Sequence, residues 1–426
     1  MSLLATYRIL TGLLRPLAPV LLNWRQKRGK EDLRRMGERM GYPSLGRPRG
    51  RLAWLHGASV GEGIALLPLV ERLVAKGFHV LITSGTVASA QVLADRLTPG
   101  AQHQYVPLDV PLYMRRFIDH WRPDLVLIAE SEIWPNMICE LDERQIPLVL
   151  VNARMSPRSF LRWQKMPHFI ADLLARIDLC LAQTQDDAMR LMQLGAPRVQ
   201  VCGNLKFDVP APPYSQTAHA EISAAVGGRP VWLAASTHPG EDEIALDVHR
   251  RLLARFPNLL TIVAPRHAQR GPAIAELALR AGIDPSLRSQ GDRITPATGF
   301  YIADTMGEMG LFYRLTSIVL MGKSLAGAQG GQNPIEPAKL GCVILHGPEV
   351  GNFVEVYRHL TMANGATEIY DADMLERALQ VFLSDPALLR RNGRAAMDAV
   401  NAFSGATDRI LQALEPYMMQ MQAEDR

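Results

Sequence analysis

A chain of 426 residues is longer than one core usually sustains, so two domains of roughly 200 residues are expected. At 48% hydrophobic, 21% charged and 6% aromatic, the composition is that of an ordinary folded protein and excludes extended disorder. The net charge of +4 hides a division: residues 1–51 carry twelve Lys and Arg against Glu31, Asp32 and Glu38, a net +9, and the other 375 residues sum to −5, which leaves the body without the basic surface that a nucleic-acid partner requires.

Residues 3–22 are apolar over nearly a membrane span, but Arg8, Arg15, Pro16 and Pro19 interrupt them. On a helix Arg8, Thr11, Gly12, Arg15 and Pro19 share a face, and Leu10, Leu13, Leu14, Leu17 and Leu21 cover much of the rest. Residues 1–24 are therefore expected to form a membrane-anchoring helix, single-pass or lying in the interface. A helix packed on a soluble body is the alternative. Arg25, Lys27, Arg28 and Lys30 follow without a small-residue cleavage site, which predicts a body held at the cytoplasmic face, against anionic phospholipid headgroups.

From residue 52, short β-branched or leucine-rich runs alternate with helical patterns, which predicts βαβ units and parallel sheets. Strands are expected at 52–58, 79–84, 103–107, 125–129, 147–152, 179–183 and 199–202. The proline-dense run Val209-Pro210-Ala211-Pro212-Pro213-Tyr214 predicts a linker over 209–228. Strands resume at 231–235, 259–264, 299–302, 317–321 and 342–346, and two helical patterns close the chain. The expected fold is α/β, with doubly wound Rossmann-like domains at 25–208 and 229–426 facing each other across a cleft, the last helix packing back on the first domain. Cys139, Cys180, Cys202 and Cys342 are far apart, the first three in or beside apolar runs, so neither a disulfide framework nor a zinc site is expected.

The first βα turn, His56-Gly57-Ala58-Ser59-Val60-Gly61-Glu62, combines small residues that let a ligand approach the backbone with an acid at a helix start. Glu62 is the first candidate for a catalytic base, with Ser59 and Gly61 beside the acceptor. A helix start stabilises a carboxylate and works against it as a base, so this role calls for desolvation; pattern alone favours Glu62 as a partner of the helix dipole over a catalytic base. Glu130 and Glu132 follow the apolar run at 125–129, where Glu130 can orient a substrate or pair with Lys206 or Arg154; a helix-capping role beside Trp134 is the other option. Between Asn152 and Lys165, cations including Arg154 and Arg158 interleave with Phe160 and Trp163, a pattern suited to a phosphorylated amphipathic lipid or simply to a solvated helix face.

In the second half, the run from Lys323 to Ala338 places Gly330 and Gly331 after an apolar strand, with Asn333 and Pro334 at the expected Ncap and N1 of a helix that offers its amides to an anion. Glu336, one turn in, is placed to accept a ribose diol. Arg266 and His267 follow another strand as phosphate or base contacts. Ser236 and Thr237, then Met306, Gly307 and Glu308, complete a set of strand-end positions read as nucleotide-binding. Asp371-Ala372-Asp373 reads as a helix cap and not as a metal site.

The motifs Ser59-Val60-Gly61-Glu62, Glu130-x-Glu132-x-Trp134-Pro135-Asn136, Asn152-x-Arg154-x-Ser156, Gly203-Asn204-Leu205-Lys206-Phe207-Asp208, Ser236-Thr237-x-x-Gly240-Glu241, Pro265-Arg266-His267 and Asn333-x-x-Glu336 occur together in one order. In them the chain resembles the lipid A Kdo (3-deoxy-D-manno-octulosonic acid) transferases of Gram-negative bacteria, which have the GT-B fold. The resemblance implies CMP-Kdo as donor in the C-terminal half and the tetraacyl disaccharide bisphosphate precursor of lipid A as acceptor in the N-terminal half. It implies Glu62 as the general base on the 6′-hydroxyl, with inversion at the anomeric carbon, and Arg266, Gly307, Asn333 and Glu336 at the nucleotide. No cofactor and no metal are implied. A GT-B enzyme acting on a UDP-sugar, as transferase or 2-epimerase, and a non-catalytic membrane-bound nucleotide-binding protein remain the competing readings.

Overall fold

The computed structural model describes residues 2–327, 330–351 and 353–424. The chain divides into two compact units, Met1–Val209 with Ser404–Arg426, and Pro210–Phe403. Unit 1 is a seven-stranded parallel sheet made of β1 (Leu52–His56), β2 (His79–Ser84), β3 (Ala101–Tyr105), β4 (Leu125–Ala129), β5 (Leu148–Ala153), β6 (Leu179–Ala182) and β7 (Val199–Val201), in the order β3-β2-β1-β4-β5-β6-β7. Unit 2 repeats the plan with β8 (Val231–Thr237), β9 (Leu260–Pro265), β10 (Pro285–Leu287), β11 (Phe300–Ile302), β12 (Ile318–Met321), β13 (Val343–His346) and β14 (Ala366–Glu368), in the order β10-β11-β9-β8-β12-β13-β14. Both are doubly wound, the domain type from which a GT-B fold is assembled.

Residues alternate faces along a strand, and helices cover both faces of each sheet. Leu52 and Trp54 of β1 therefore join one core with Phe117 and Trp121, and Ala53 and Leu55 join the other with Leu66 and Val70. Each fully buried leucine contributes about 1.5–3 kcal/mol, which makes the central strands the rigid frame for the loops at their ends. In unit 1 the chain winds outward from β1 to β3 and then returns to the other side of β1 with β4; in unit 2 the same reversal falls between β8 and β12. Crevices at such reversals, outside the carboxyl ends of the strands, are where ligands of these folds bind.

Two features of the body differ from the sequence reading, the strand β10 and the linker, while the last helix lies with unit 1. β10, Pro285-Ser286-Leu287, has little strand propensity of its own and exists through pairing with β11. Half of the expected linker is the helix Gln216–Val226, whose Ile222 and Val226 are buried. Residues Ala406–Glu424 form a helix of unit 1, where Ile410, Leu411 and Leu414 enter its second core.

The N-terminal segment is also not one helix. It breaks into Leu3–Leu13, a 3-10 turn Arg15–Leu17 where Pro16 lacks an amide, and Ala18–Gln26. No helix among the described residues is long and apolar enough to cross a membrane, so the spanning alternative is not supported. The polar face is the docked one: Tyr7 donates to Asp109 at 3.0 Å, Arg8 pairs with the buried Glu140 at 2.9 Å and with Glu143, and Thr11 accepts from Asn136 at 3.1 Å. Leu10, Leu13, Leu14, Leu17, Leu21 and Trp24 face outward. The basic block following it is partly internal. Arg25 and Arg39 bond Glu31, and Arg35 bonds Glu38, so the expected run of four free cations loses Arg25 to the body.

Candidate functional site

In unit 1, β1 ends at His56 directly beside Ile128 of β4, so the turns following these two strands lie side by side at the reversal. Ser59 caps the helix Val60–Ala75, accepting from the Glu62 amide at 3.3 Å. The Glu62 carboxylate folds back onto the same turn: Oε1 accepts from the Ser59 hydroxyl at 2.7 Å and Oε2 from the Ala58 amide at 2.8 Å. Gly57 gives the turn room, because a Cβ there would lie a tight 3.1 Å from Glu62 Cβ. A carboxylate offers about four acceptor positions, so two bonds hold Glu62 in place and leave capacity for a ligand hydroxyl. Glu62 is half-buried, and Ser59 and Gly61 beside it are exposed.

Across from this turn, Glu130 takes the left-handed conformation, φ 57°, and its Oε1 meets Lys206 Nζ at 2.7 Å. Of the two partners foreseen for Glu130, Lys206 makes the ion pair. Arg154 contributes its main chain instead, its carbonyl accepting from Ser131 Oγ at 2.6 Å. Arg158 is exposed on the short helix Pro157–Trp163. Glu132 is held by the Trp134 indole, which donates to Oε2 at 2.6 Å and stands edge-on to the buried His56 ring at 6.1 Å. Burial raises the Glu132 carboxyl above its ordinary value; the indole bond opposes this, and the negative charges of Glu62 and Glu130 add to it. Three carboxylates from two turns therefore share one field. Burial also lowers His56 to about 4, so this imidazole is neutral beneath the site.

In unit 2, the left-handed conformation recurs at Ser236, φ 57°, inside a bulge of β8, and at Lys323, φ 60°, just after β12. Such backbone costs on the order of 1–2 kcal/mol in a non-glycine residue, and both positions flank the reversal. Thr237 donates to the buried Asp242 at 2.5 Å. Arg266 and His267 stand exposed at the end of β9. Met306 is 71% exposed and Gly307 has φ 83°. The Glu308 carboxylate is bound by Arg288 at 2.7 and 3.1 Å and by the Thr305 hydroxyl, so it anchors its own turn.

The glycine-rich loop differs from the expected phosphate cradle. Ala328 and Gln329 lie outside the described residues, and Gly331 donates to the Lys323 carbonyl at 2.8 Å. Gly330 is buried, with φ 127°. The following helix, Ile335–Lys339, is a short five-residue turn with Pro334 at its Ncap, one residue later than expected. Its first amide, at Ile335, donates to Asn333 Oδ1 at 3.1 Å, and the Asn333 amide reaches Glu336 at 3.5 Å. The amides at the start of the loop are also occupied. Glu241, only 1% exposed, accepts from the backbone N–H groups of His238 (2.8 Å), Lys323 (2.8 Å), Ser324 (2.9 Å) and Leu325 (3.1 Å). The sequence placed Glu241 only at the end of the motif Ser236-Thr237-x-x-Gly240-Glu241; no local pattern revealed that it reaches a loop more than eighty residues on. Asp371 caps its helix by accepting from Met374 at 2.8 Å, and Asp373 bonds Arg251, so that pair serves the fold.

Residues 34–209 match the family profile described as 3-deoxy-D-manno-octulosonic-acid transferase (kdotransferase). Over 410 residues the chain is 35% identical to a probable mitochondrial 3-deoxy-D-manno-octulosonic acid transferase of Arabidopsis thaliana, covering 93% of this chain and 92% of the relative. Over 398 residues it is 35% identical to a 3-deoxy-D-manno-octulosonic acid transferase of Haemophilus influenzae, covering 90% and 91%. Among solved structures, the UDP-GlcNAc 2-epimerase from Neisseria meningitidis bound to UDP-GlcNAc superposes with a TM-score of 0.60, covering 86% of this chain and 100% of that one at 13% identity. That last likeness concerns the fold alone.

Proposed function

The chain belongs to the 3-deoxy-D-manno-octulosonic acid transferase family, and from that premise we propose that it moves Kdo from CMP-Kdo to the 6′-hydroxyl of the tetraacyl lipid A precursor. The observation that carries the catalytic part is the Glu62 carboxylate, fixed by Ala58 and Ser59 yet open to solvent at the reversal of the first sheet. Glu62 takes the proton of the acceptor hydroxyl, the oxygen forms its bond to the anomeric carbon of Kdo, and the bond from that carbon to the phosphate oxygen breaks, its electron pair leaving with CMP. Attack opposite the leaving group inverts the anomeric configuration. Positioning and charge suffice for this step, and no metal is invoked.

In this reading unit 1 receives the acceptor through Glu62, Ser59, Gly61, Glu130 with Lys206, Arg154 and Arg158. Unit 2 receives the nucleotide through Ser236, Thr237, Arg266, His267, Met306, Gly307, Gly330, Gly331, Asn333 and Glu336; Glu308, committed to Arg288, acts there by shaping the Gly307 turn. The outward leucines of the N-terminal helices, with Arg28 stacked 3.8 Å over Trp24, suit a helix pair lying in the headgroup region of the cytoplasmic leaflet of an inner membrane. That mode of attachment keeps the polar face on the protein and gives the apolar face a partner.

The test is mass spectrometry of lipid made from the purified chain, CMP-Kdo and lipid A precursor. The expected product carries added Kdo with the wild type and none with Glu62→Gln, while calorimetry finds CMP binding by both proteins within about twofold. Tight UDP binding without CMP binding would replace the donor, and Kdo transfer surviving in Glu62→Gln would remove Glu62 as base.

A further inference from the structure

In unit 2 the most anion-adapted backbone is already occupied. The amides of Lys323, Ser324 and Leu325 converge on the Glu241 carboxylate, with the left-handed Lys323 turning the chain so that consecutive N–H groups point the same way. Backbone of this kind is a common phosphate nest. Here the protein's own carboxylate fills it, and the fourth bond, from the His238 amide, ties the turn after β8 to the loop after β12. Gly322 lets the two strands' ends meet, because a Cβ there would collide with the Ser236 carbonyl. These amides are closed to a ligand phosphate, which leaves it the donors and charges of neighbouring side chains.

Those side chains are present on three adjacent strands. In the order β9-β8-β12, Arg266 and His267 follow β9, His238 follows β8 and Lys323 follows β12. The His238 and His267 rings are 6.2 Å apart, and Gln332 approaches His238 Nε2 at 3.5 Å. Burial lowers His238, as do the charges of Lys323, His267 and Arg270, with Glu241 alone opposing, so the ring is a neutral donor in a positive field. Arg270 is committed to Asp242 and the Thr237 carbonyl. Among the described residues, Arg266, His267 and Lys323 have no carboxylate partner. An uncompensated cluster of this kind is what departure of a nucleoside monophosphate requires, since the phosphate gains negative charge as its ester bond breaks.

We propose that His238 and Lys323 join Arg266 and His267 as a side-chain cradle for the donor's phosphate, with Glu241 as the positioning residue that holds the two loops of the cradle in register. The proposal rests on the reading that unit 2 holds a CMP-sugar. Phosphate recognition then falls to the cations and neutral imidazole donors of these side chains, and the nest amides keep an internal ligand.

Calorimetry of the full chain with CMP and with cytidine isolates the phosphate. Lys323→Met and His238→Gln are expected to weaken CMP roughly tenfold each while changing cytidine less than about twofold. Lys323→Arg restores most of the loss. Lys323→Gly removes the same charge but relieves the left-handed backbone, so it stays folded and still loses CMP affinity. Glu241→Gln turns one acceptor oxygen into a donor facing amides; it lowers the CMP-to-cytidine ratio together with the melting temperature. Unchanged CMP-to-cytidine ratios in folded Lys323 and His238 variants would overturn the cradle. A wild-type chain that holds UDP and not CMP, with the same dependence on Lys323 and His238, would overturn the donor's identity and uphold the cradle.

Discussion

Lys206 Nζ and Glu130 Oε1 meet at 2.7 Å although 76 residues separate them in sequence. The pair joins the turn after β4 to the 3-10 turn Leu205–Phe207 and neutralises one of three neighbouring carboxylates. With side chains only 22% and 15% exposed, removal of one partner leaves the other poorly solvated. Lys206→Met is expected to lower unfolding free energy by about 1–2 kcal/mol in urea titration, and adding Glu130→Gln to recover at least half of that loss. Independent, additive effects would mean that the ion pair carries no coupling.

Glu132 gives a pH-dependent prediction. Its folded value is raised, so its contribution to stability is fully present below the ordinary carboxylate value of 4.5 and is lost as pH rises through the raised value. Glu132→Gln keeps an acceptor for the Trp134 indole and removes the charge. It is expected to melt about 1–3 °C above the wild type at pH 7 and no higher at pH 4, as read by calorimetric scans.

The N-terminal helices separate docking from exposure. Replacing Leu10, Leu13, Leu17 and Leu21 by Ser leaves Tyr7, Arg8 and Thr11 in place, so vesicle flotation with anionic lipid is expected to fall about tenfold or more at unchanged melting temperature. Deleting residues 1–24 instead strips Arg8 from the buried Glu140, which keeps Arg115 and Arg144, and is expected to lower the melting temperature as well. A deletion that melts like the wild type would show the polar face to be dispensable.

Two fully enclosed histidines predict acid lability in both units. Burial lowers His56 and His249 to about 4 from an ordinary 6.5. A depressed histidine favours the neutral folded form, so its stability is fully present above pH 6.5 and is lost as pH falls from 6.5 toward 4. Each is expected to contribute about 2–3 kcal/mol to that loss. His249→Gln, which retains a bond to Thr261, is expected to flatten the decline of unit 2 below pH 6 in urea titrations at stepped pH.

Much of this was legible locally. The runs at 79–84 and 125–129 coincide with β2 and β4, because strands buried on both faces leave an uninterrupted apolar signature. Glu62 at a helix start was readable because the turn and the helix are neighbours in sequence, whereas Ser59, read only as lying beside the acceptor, proved to be the cap. β10 was not readable, because its pairing with β11 supplies what Pro285 and Ser286 lack. The role of Glu308 was also hidden: Arg288, twenty residues away, reaches it only after the loops have folded.

The amino-acid sequence by itself determined the repetition of a parallel α/β domain and the strand-end positions of its polar motifs, since both follow from periodicity and short-range order; the family came from the resemblance of those motifs taken together. Tertiary structure alone decided the partners: Lys206 for Glu130, Trp134 for Glu132, and Glu241 for the amides that a glycine-rich loop suggested were free. It also turned Leu10, Leu13, Leu17 and Leu21 outward, because Tyr7 and Arg8 find their carboxylates, Asp109 and Glu140, more than a hundred residues along the chain. The physical reason is the same in each case: a charge selects its partner by distance in space and by burial, and neither is encoded in the spacing around it.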